Sequence, residues 1–207
     1  YYTYNLNSGF KIKSYINIRN GIISFNNTIL FEDDANNFKD FIKKAYKSLD
    51  IDYPKFFKMD NLSKLAFIAA DVLLNNINID ENTAVILSNR SSRLHTDRKH
   101  QTSISDAKNY YPSPSVFVYT LPNICIGEIC IKHQLLSENS FFIFDTFNPE
   151  HLWIQSQYLL KSGKANRVLC GWIDIDDSKY DAFVYVVESK GELHHTINNL
   201  KKLYLCP

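Results

Sequence analysis

The chain has 207 residues, 45% hydrophobic and 14% aromatic, with 23 basic against 22 acidic side chains and a net charge of +1. That length and apolar content allow a sizeable core in one domain over 1–207 and exclude a disordered chain. The balanced charge gives no pull toward nucleic acid or an anionic membrane, and no apolar run approaches the roughly 20 residues of a membrane span.

The chain opens Tyr-Tyr-Thr-Tyr rather than on Met, which predicts a trimmed N terminus, and the sequence shows no cleavable secretion signal. The first 30 residues carry two strand-like pieces, "YINIRN" and "GIISF", separated by Asn-rich turns. Segment 35–50 sets Phe38, Phe41, Ile42, Ala45 and Leu49 on one face and predicts a surface helix. Segment 61–76 is apolar nearly all round from Leu65 to Leu74, so it predicts a helix buried between layers, capped by Asp60 or Asn61.

"TAVILS", 83–88, is a continuous apolar run and predicts a strand buried on both faces, as in a parallel sheet. Residues 89–112 are polar and predict a long loop of the kind that is functional or mobile. Segment 116–133 holds Pro122 and Gly127 and predicts a helix that starts late and packs closely at Gly127. "SFFIFDTFNPEHL", 140–152, then reads as strand, sharp turn and helix. That is the layout of a nucleophile elbow, with Thr146 at its apex. The helix 149–162 ends at Gly163, strands come next at 167–175 and 181–189, and a last helix closes 192–204. This alternation predicts a layered α/β fold with a largely parallel sheet.

Cys125, Cys130, Cys170 and Cys206 form no Cys-x-x-Cys pair and have no zinc spacing, so they read as buried reduced thiols of a cytoplasmic protein. Phe141, Phe142, Phe144 and Phe147 cannot share one core, because neighbours on a strand alternate faces. Some of them face a second layer.

From Ser113 to about Glu188 the sequence resembles the N-terminal half of the β-ketoacyl synthases. "SPSVFVYTLPNICIGEI" carries Pro114, Asn123 and Gly127 at the family's spacing. "SENSFFIFDTFNP" stands where the family has its strand and nucleophilic Cys, and "LLKSGKANRVLCGWID" matches at Gly163, Ala165, Gly171 and Asp174. "FKMDNLSKLAFIAADVLL" is similar to an upstream helix. The resemblance implies a thiolase-like half-fold, a layered α-β-α arrangement with a mostly parallel five-stranded sheet.

Two departures accompany it. Thr146 replaces the nucleophilic Cys, with Asp145, Phe147 and Pro149 replacing small residues around it. The chain also stops where the family's second half, which supplies two catalytic histidines, would begin. A Thr hydroxyl needs an adjacent base to act as a nucleophile, and the side chain of Asp145 would point to the opposite strand face.

The resemblance therefore implies a non-catalytic subunit, similar to chain length factors and to the short ketosynthase-like subunits of aryl polyene-type pigment biosynthesis. Such a subunit has no catalytic residue, metal or cofactor of its own. It pairs with a full-length ketosynthase through the interface strand Phe141, Phe142, Ile143, Phe144, Asp145, Thr146 and Phe147. Val116, Phe117, Tyr119 and Asn123 would face the partner's acyl pocket and set product length. The basic run holding Arg90, Arg93, His95, Arg98, Lys99 and His100 reads first as solvated surface; the functional alternative is contact with an acidic acyl carrier protein or a phosphopantetheine phosphate. Asp145 reads as a helix cap and His194-His195 as a solvated helix face. Two other functions stay open. One is a stand-alone acyltransferase or hydrolase using Thr146 with Asp145, the other a homodimeric scaffold without an acyl role.

Overall fold

In the computed structural model, which describes residues 9–34, 37–106, 108, 110–176 and 179–206, the strand β4 (Thr83–Asn89) is buried at every position. It is buried because it has neighbours on all sides. β5 (Asn139–Ile143) and β6 (Arg167–Asp176) flank it in parallel, and helices cover both faces. A strand in that position has no wet face, which is why its sequence shows no alternation.

The sheet continues antiparallel from β6 to β7 (Lys179–Glu188), then β1 (Lys11–Arg19), β2 (Ile22–Phe25) and β3 (Thr28–Glu32). A short β8 (Leu193–His194) also pairs with β1, which gives eight strands in a mixed sheet. The expected mostly parallel five-stranded sheet is thus corrected. Parallel pairing is confined to β5-β4-β6, where helical crossovers join the strands. β6 and β7 are joined by two residues only, too few for a crossover.

Side-chain parity sorts the two cores. Val85, Leu87, Leu169, Ile173, Val184 and Val186 point to one face, under α1 (Phe38–Ser48), α2 (Asn61–Asn75) and α5 (Ile124–His133). Ala84, Ile86, Val168, Cys170, Phe183, Tyr185 and Val187 point to the other, under α6 (Pro149–Lys161) and α7 (Ile197–Leu205). α2 is buried nearly all round, as its composition demands, and Asp60 caps it by accepting from Ser63 N–H at 2.9 Å. α1 buries Phe38, Phe41, Ile42 and Ala45 of the expected face plus Tyr46, while Leu49 is its half-buried C-cap; positions 35 and 36 of the predicted helix lie outside the described residues.

Four expectations are overturned. The polar stretch 89–112 is not all loop: Leu94–Ile104 forms α3. Segment 116–133 is two helices, α4 (Pro114–Val118) and α5, because Pro122 lies between them. Gly127 packs against nothing; it is exposed, with open space where a Cβ would stand. His195 is not solvated but fully buried, since the chain passes through β8 there before α7 begins.

No helix among the described residues is long and apolar enough to cross a membrane. Cys125 and Cys170 are buried, which pushes their thiols up to about 11 and about 12.

Candidate functional site

The elbow is present as geometry. β5 runs out at Ile143, and Phe144 N–H still bonds Asn89 O at 2.9 Å before the chain turns. Pro149 at the first helical position starts α6, with its φ already set for a helix. The cap is Asn148, whose side chain accepts from His151 N–H at 3.0 Å, and not Asp145. Asp145 and Thr146 stand exposed at the turn.

Thr146 opens on a cleft of about 710 Å³ at the carboxyl ends of β4, β5 and β6. Crevices beyond strand carboxyl ends are where α/β sheets bind ligands. One wall is aromatic: Phe147, Trp172, Tyr180 and Tyr204. Phe147 packs edge-on to Phe183 at 5.5 Å and against Tyr204 at 4.3 Å, so the elbow is fixed from below by α7.

The polar wall is mostly self-satisfied. Asp174 accepts from the N–H groups of Arg90 at 3.2 Å and Ser91 at 2.9 Å. Asp181 pairs with Arg19 at 2.9 Å and accepts from Tyr204 O–H at 2.6 Å. Burial, then that carboxylate, pushes the Tyr204 phenol above its ordinary range. Lys201 is tied to Glu150 at 2.6 Å. Among the described residues the lining contains no histidine and no cysteine, and no cluster of His, Cys, Asp and Glu is built to hold a metal. The cleft therefore offers Thr146 no imidazole to take its proton.

The residues read from the sequence as partner-facing divide. On α4, Phe117 is 57% exposed and Val116 half-buried. Asn123 is exposed, with no side-chain capping bond. Tyr119 instead turns inward and donates to buried Glu128 at 3.0 Å, so it anchors the segment rather than facing outward. On β5 the phenylalanines alternate as the strand period requires: Phe141 packs on the α2 side and Phe142 on the α6 side. Phe142 and Phe144 flank the His151 ring at 4.4 and 4.9 Å. Ile143 is 52% exposed, and β5 has one strand neighbour, which makes it an edge of the sheet.

Trp172, Asp181 and Tyr204 escaped sequence reading, whereas Arg90 stands out in the sequence as part of the basic run and Asp174 as a residue matched to the ketosynthases at the end of a strand.

The layered mixed sheet, the elbow at its edge strand and the cleft beyond the strand ends define an α/β fold. No family model matches the sequence, and no curated protein matches it. The likeness is to solved structures. The ketosynthase ApeO in complex with its chain length factor ApeC, from Xenorhabdus doucetiae, matches with a TM-score of 0.62 at 16% identity, over 94% of this chain and 90% of that one. The ishigamide ketosynthase/chain length factor matches at 0.61 and 14% identity, over 86% of this chain. A type II polyketide synthase acyl-carrier protein in complex with its ketosynthase, AntDE:AntF, matches at 0.57 and 13%, also over 86%. The chain spans 62% of the length of each of the last two matched chains.

Proposed function

We propose that this chain is a chain-length-factor-like subunit of a β-ketoacyl-ACP synthase, one ketosynthase N-terminal-half-like domain without a catalytic residue of its own. The observation that carries the reading is the elbow apex. The turn that holds a nucleophile in the ketosynthases holds Thr146 here, above a cleft whose described lining has no imidazole or thiol. The fold likeness to ketosynthase/chain length factor complexes supports it.

In this reading β5 is where the partner adds. Among the described residues its outer edge has no strand beside it, and Ile143 exposes apolar surface. A full-length ketosynthase supplies the Cys and both histidines and condenses carrier-protein-bound acyl units, in a pathway of the aryl polyene type. Val116, Phe117 and Asn123 reach toward its acyl pocket and limit chain length, while Tyr119 holds their segment from beneath through Glu128.

The test is co-expression with the ketosynthase encoded beside it, then size-exclusion chromatography with mass determination. A one-to-one complex that condenses malonyl units, and does so unchanged with Thr146→Ala, is the expected result. A lone chain or homodimer that ignores the ketosynthase overturns the reading. Condensation abolished by Thr146→Ala returns the chemistry to Thr146 and Asp145.

A further inference from the structure

The chain turns from β1 into β2 through Asn20 and Gly21, the one Asn-Gly pair in the sequence. Both residues are left-handed, with φ of 51° and 78°, the conformation that a two-residue hairpin favours and that this pair adopts readily. Asn-Gly is also the pair most open to self-modification, because no side chain shields the glycine nitrogen from the carboxamide before it. Asn20 is exposed.

The fold holds this nitrogen from outside the turn. Gly21 N–H donates to the Tyr180 hydroxyl at 2.8 Å, and Gly21 O accepts from Asp33 N–H at 2.9 Å. Asp33 O stands where a Cβ on Gly21 would go, so the turn has no slack on that side. Tyr180 is itself fixed, its ring 5.0 Å from Phe38 and stacked on Phe41 at 5.2 Å. Arg19, the residue before the pair, holds Asp181 of the cleft wall at 2.9 Å.

We propose that Asn20 is a latent self-modification site and that the Tyr180 hydroxyl is the group that keeps it unreacted. In the reaction the Gly21 nitrogen attacks Asn20 Cγ. A new nitrogen–carbon bond closes a succinimide, the bond from Cγ to the carboxamide nitrogen breaks, and ammonia leaves with the proton that Gly21 N–H gives up. Water then opens the ring. Attack on Cγ leaves aspartate, and attack on the Asn20 main-chain carbonyl leaves isoaspartate, whose methylene now lies in the backbone. The nitrogen must shed its proton and swing to Cγ, and both require it to leave the Tyr180 oxygen first. Either product adds a carboxylate, and isoaspartate lengthens a turn that Asp33 O leaves no room to lengthen. The change falls next to Arg19, so it loosens the wall of the cleft as well as the β1–β2 hairpin. None of this depends on the ketosynthase reading.

The experiment incubates the full chain at mildly alkaline pH and measures aspartate and isoaspartate at position 20 by peptide mapping with mass spectrometry. The same chain unfolded in urea is the reference. Native Asn20 is expected to convert about tenfold or more slowly than the unfolded one. Tyr180→Phe, which removes the hydroxyl and keeps the ring, is expected to speed native conversion about three- to tenfold, the worth of one hydrogen bond. Asn139, exposed and followed by Ser140 on β5, serves as the internal control. Hydrogen exchange of the Gly21 amide gives a second reading that needs no variant, and strong protection is expected. A native rate equal to the unfolded one, an unprotected Gly21 amide, or an unchanged rate in Tyr180→Phe overturns the proposal. So does equal acceleration at Asn20 and Asn139, which would trace the effect to general unfolding.

Discussion

Each face of the sheet is pinned to its helices by a buried polar knot, and the two knots use opposite chemistry. Over the α2 face, the Arg93 guanidinium pairs with Asp60 and donates to Ser63 Oγ at 3.1 Å and Pro122 O at 3.3 Å. Thr96 O–H adds a bond to Asp60 at 3.0 Å. Over the α6 face, His195 Nδ1 lies 3.0 Å from Gln157 Nε2, and Trp153 Nε1 donates to His195 O at 3.0 Å. The first knot ties three segments together with full charges, the starts of α2 and α3 and the turn at Pro122; the second ties β8 to α6 with neutral groups. A charged knot is costly to break because either partner alone becomes a buried, uncompensated ion. A neutral knot fails instead when a proton is forced onto it.

The largest expected effect breaks the charged knot. Arg93→Ala strands Asp60 and removes a side chain with no exposed surface, so it should lower stability by about 3–5 kcal/mol, read from urea unfolding. A loss below about 1 kcal/mol would mean that Thr96 and the α2 N–H groups satisfy Asp60 unaided.

The next effect sharpens the contrast through pH. Burial lowers the His195 pKa to about 3 from an ordinary 6.5, so the folded chain keeps the ring neutral. Below about pH 6.5 the unfolded chain takes up a proton that the folded chain refuses. Stability should therefore fall by about 1.4 kcal/mol between pH 7.5 and 5.5 from this group. His151, also lowered by burial, acts in the same direction. His195→Gln should flatten most of that slope in urea midpoints taken across the range. An unchanged slope would place the proton elsewhere.

The smallest effect belongs to the open cleft between the knots. Thr146 is exposed and makes no hydrogen bond among the described residues, so Thr146→Ala should change stability by less than about 0.5 kcal/mol. A larger loss would show that the hydroxyl holds the elbow.

Legibility depends on the range of the interactions. β4 and α2 are readable because burial on all sides leaves an unbroken apolar stretch in one short window. The elbow is readable as strand, turn and Pro149, though its cap is not: Asp145 and Asn148 are both competent, and only the turn geometry chooses Asn148. Arg93 and His195 pass for surface residues in the sequence because their partners are distant. Asp60 lies 33 positions before Arg93, and Gln157 38 positions before His195. The mixed sheet escapes for a related reason. The apolar period of β7 fits a parallel and an antiparallel strand equally, and its two-residue link to β6 decides the matter.

The pairing of β1 with β7 has a consequence for synthesis. Lys11 pairs with Glu188 and Arg19 with Asp181, so β1 waits for a strand made some 160 residues later. At roughly 5–20 residues per second, that wait is on the order of 10–30 s, with β1 holding only the β2–β3 hairpin in the meantime. Closing so long a loop before any contact rewards it is slow, which predicts late, all-at-once acquisition of protease resistance, once β7 is available.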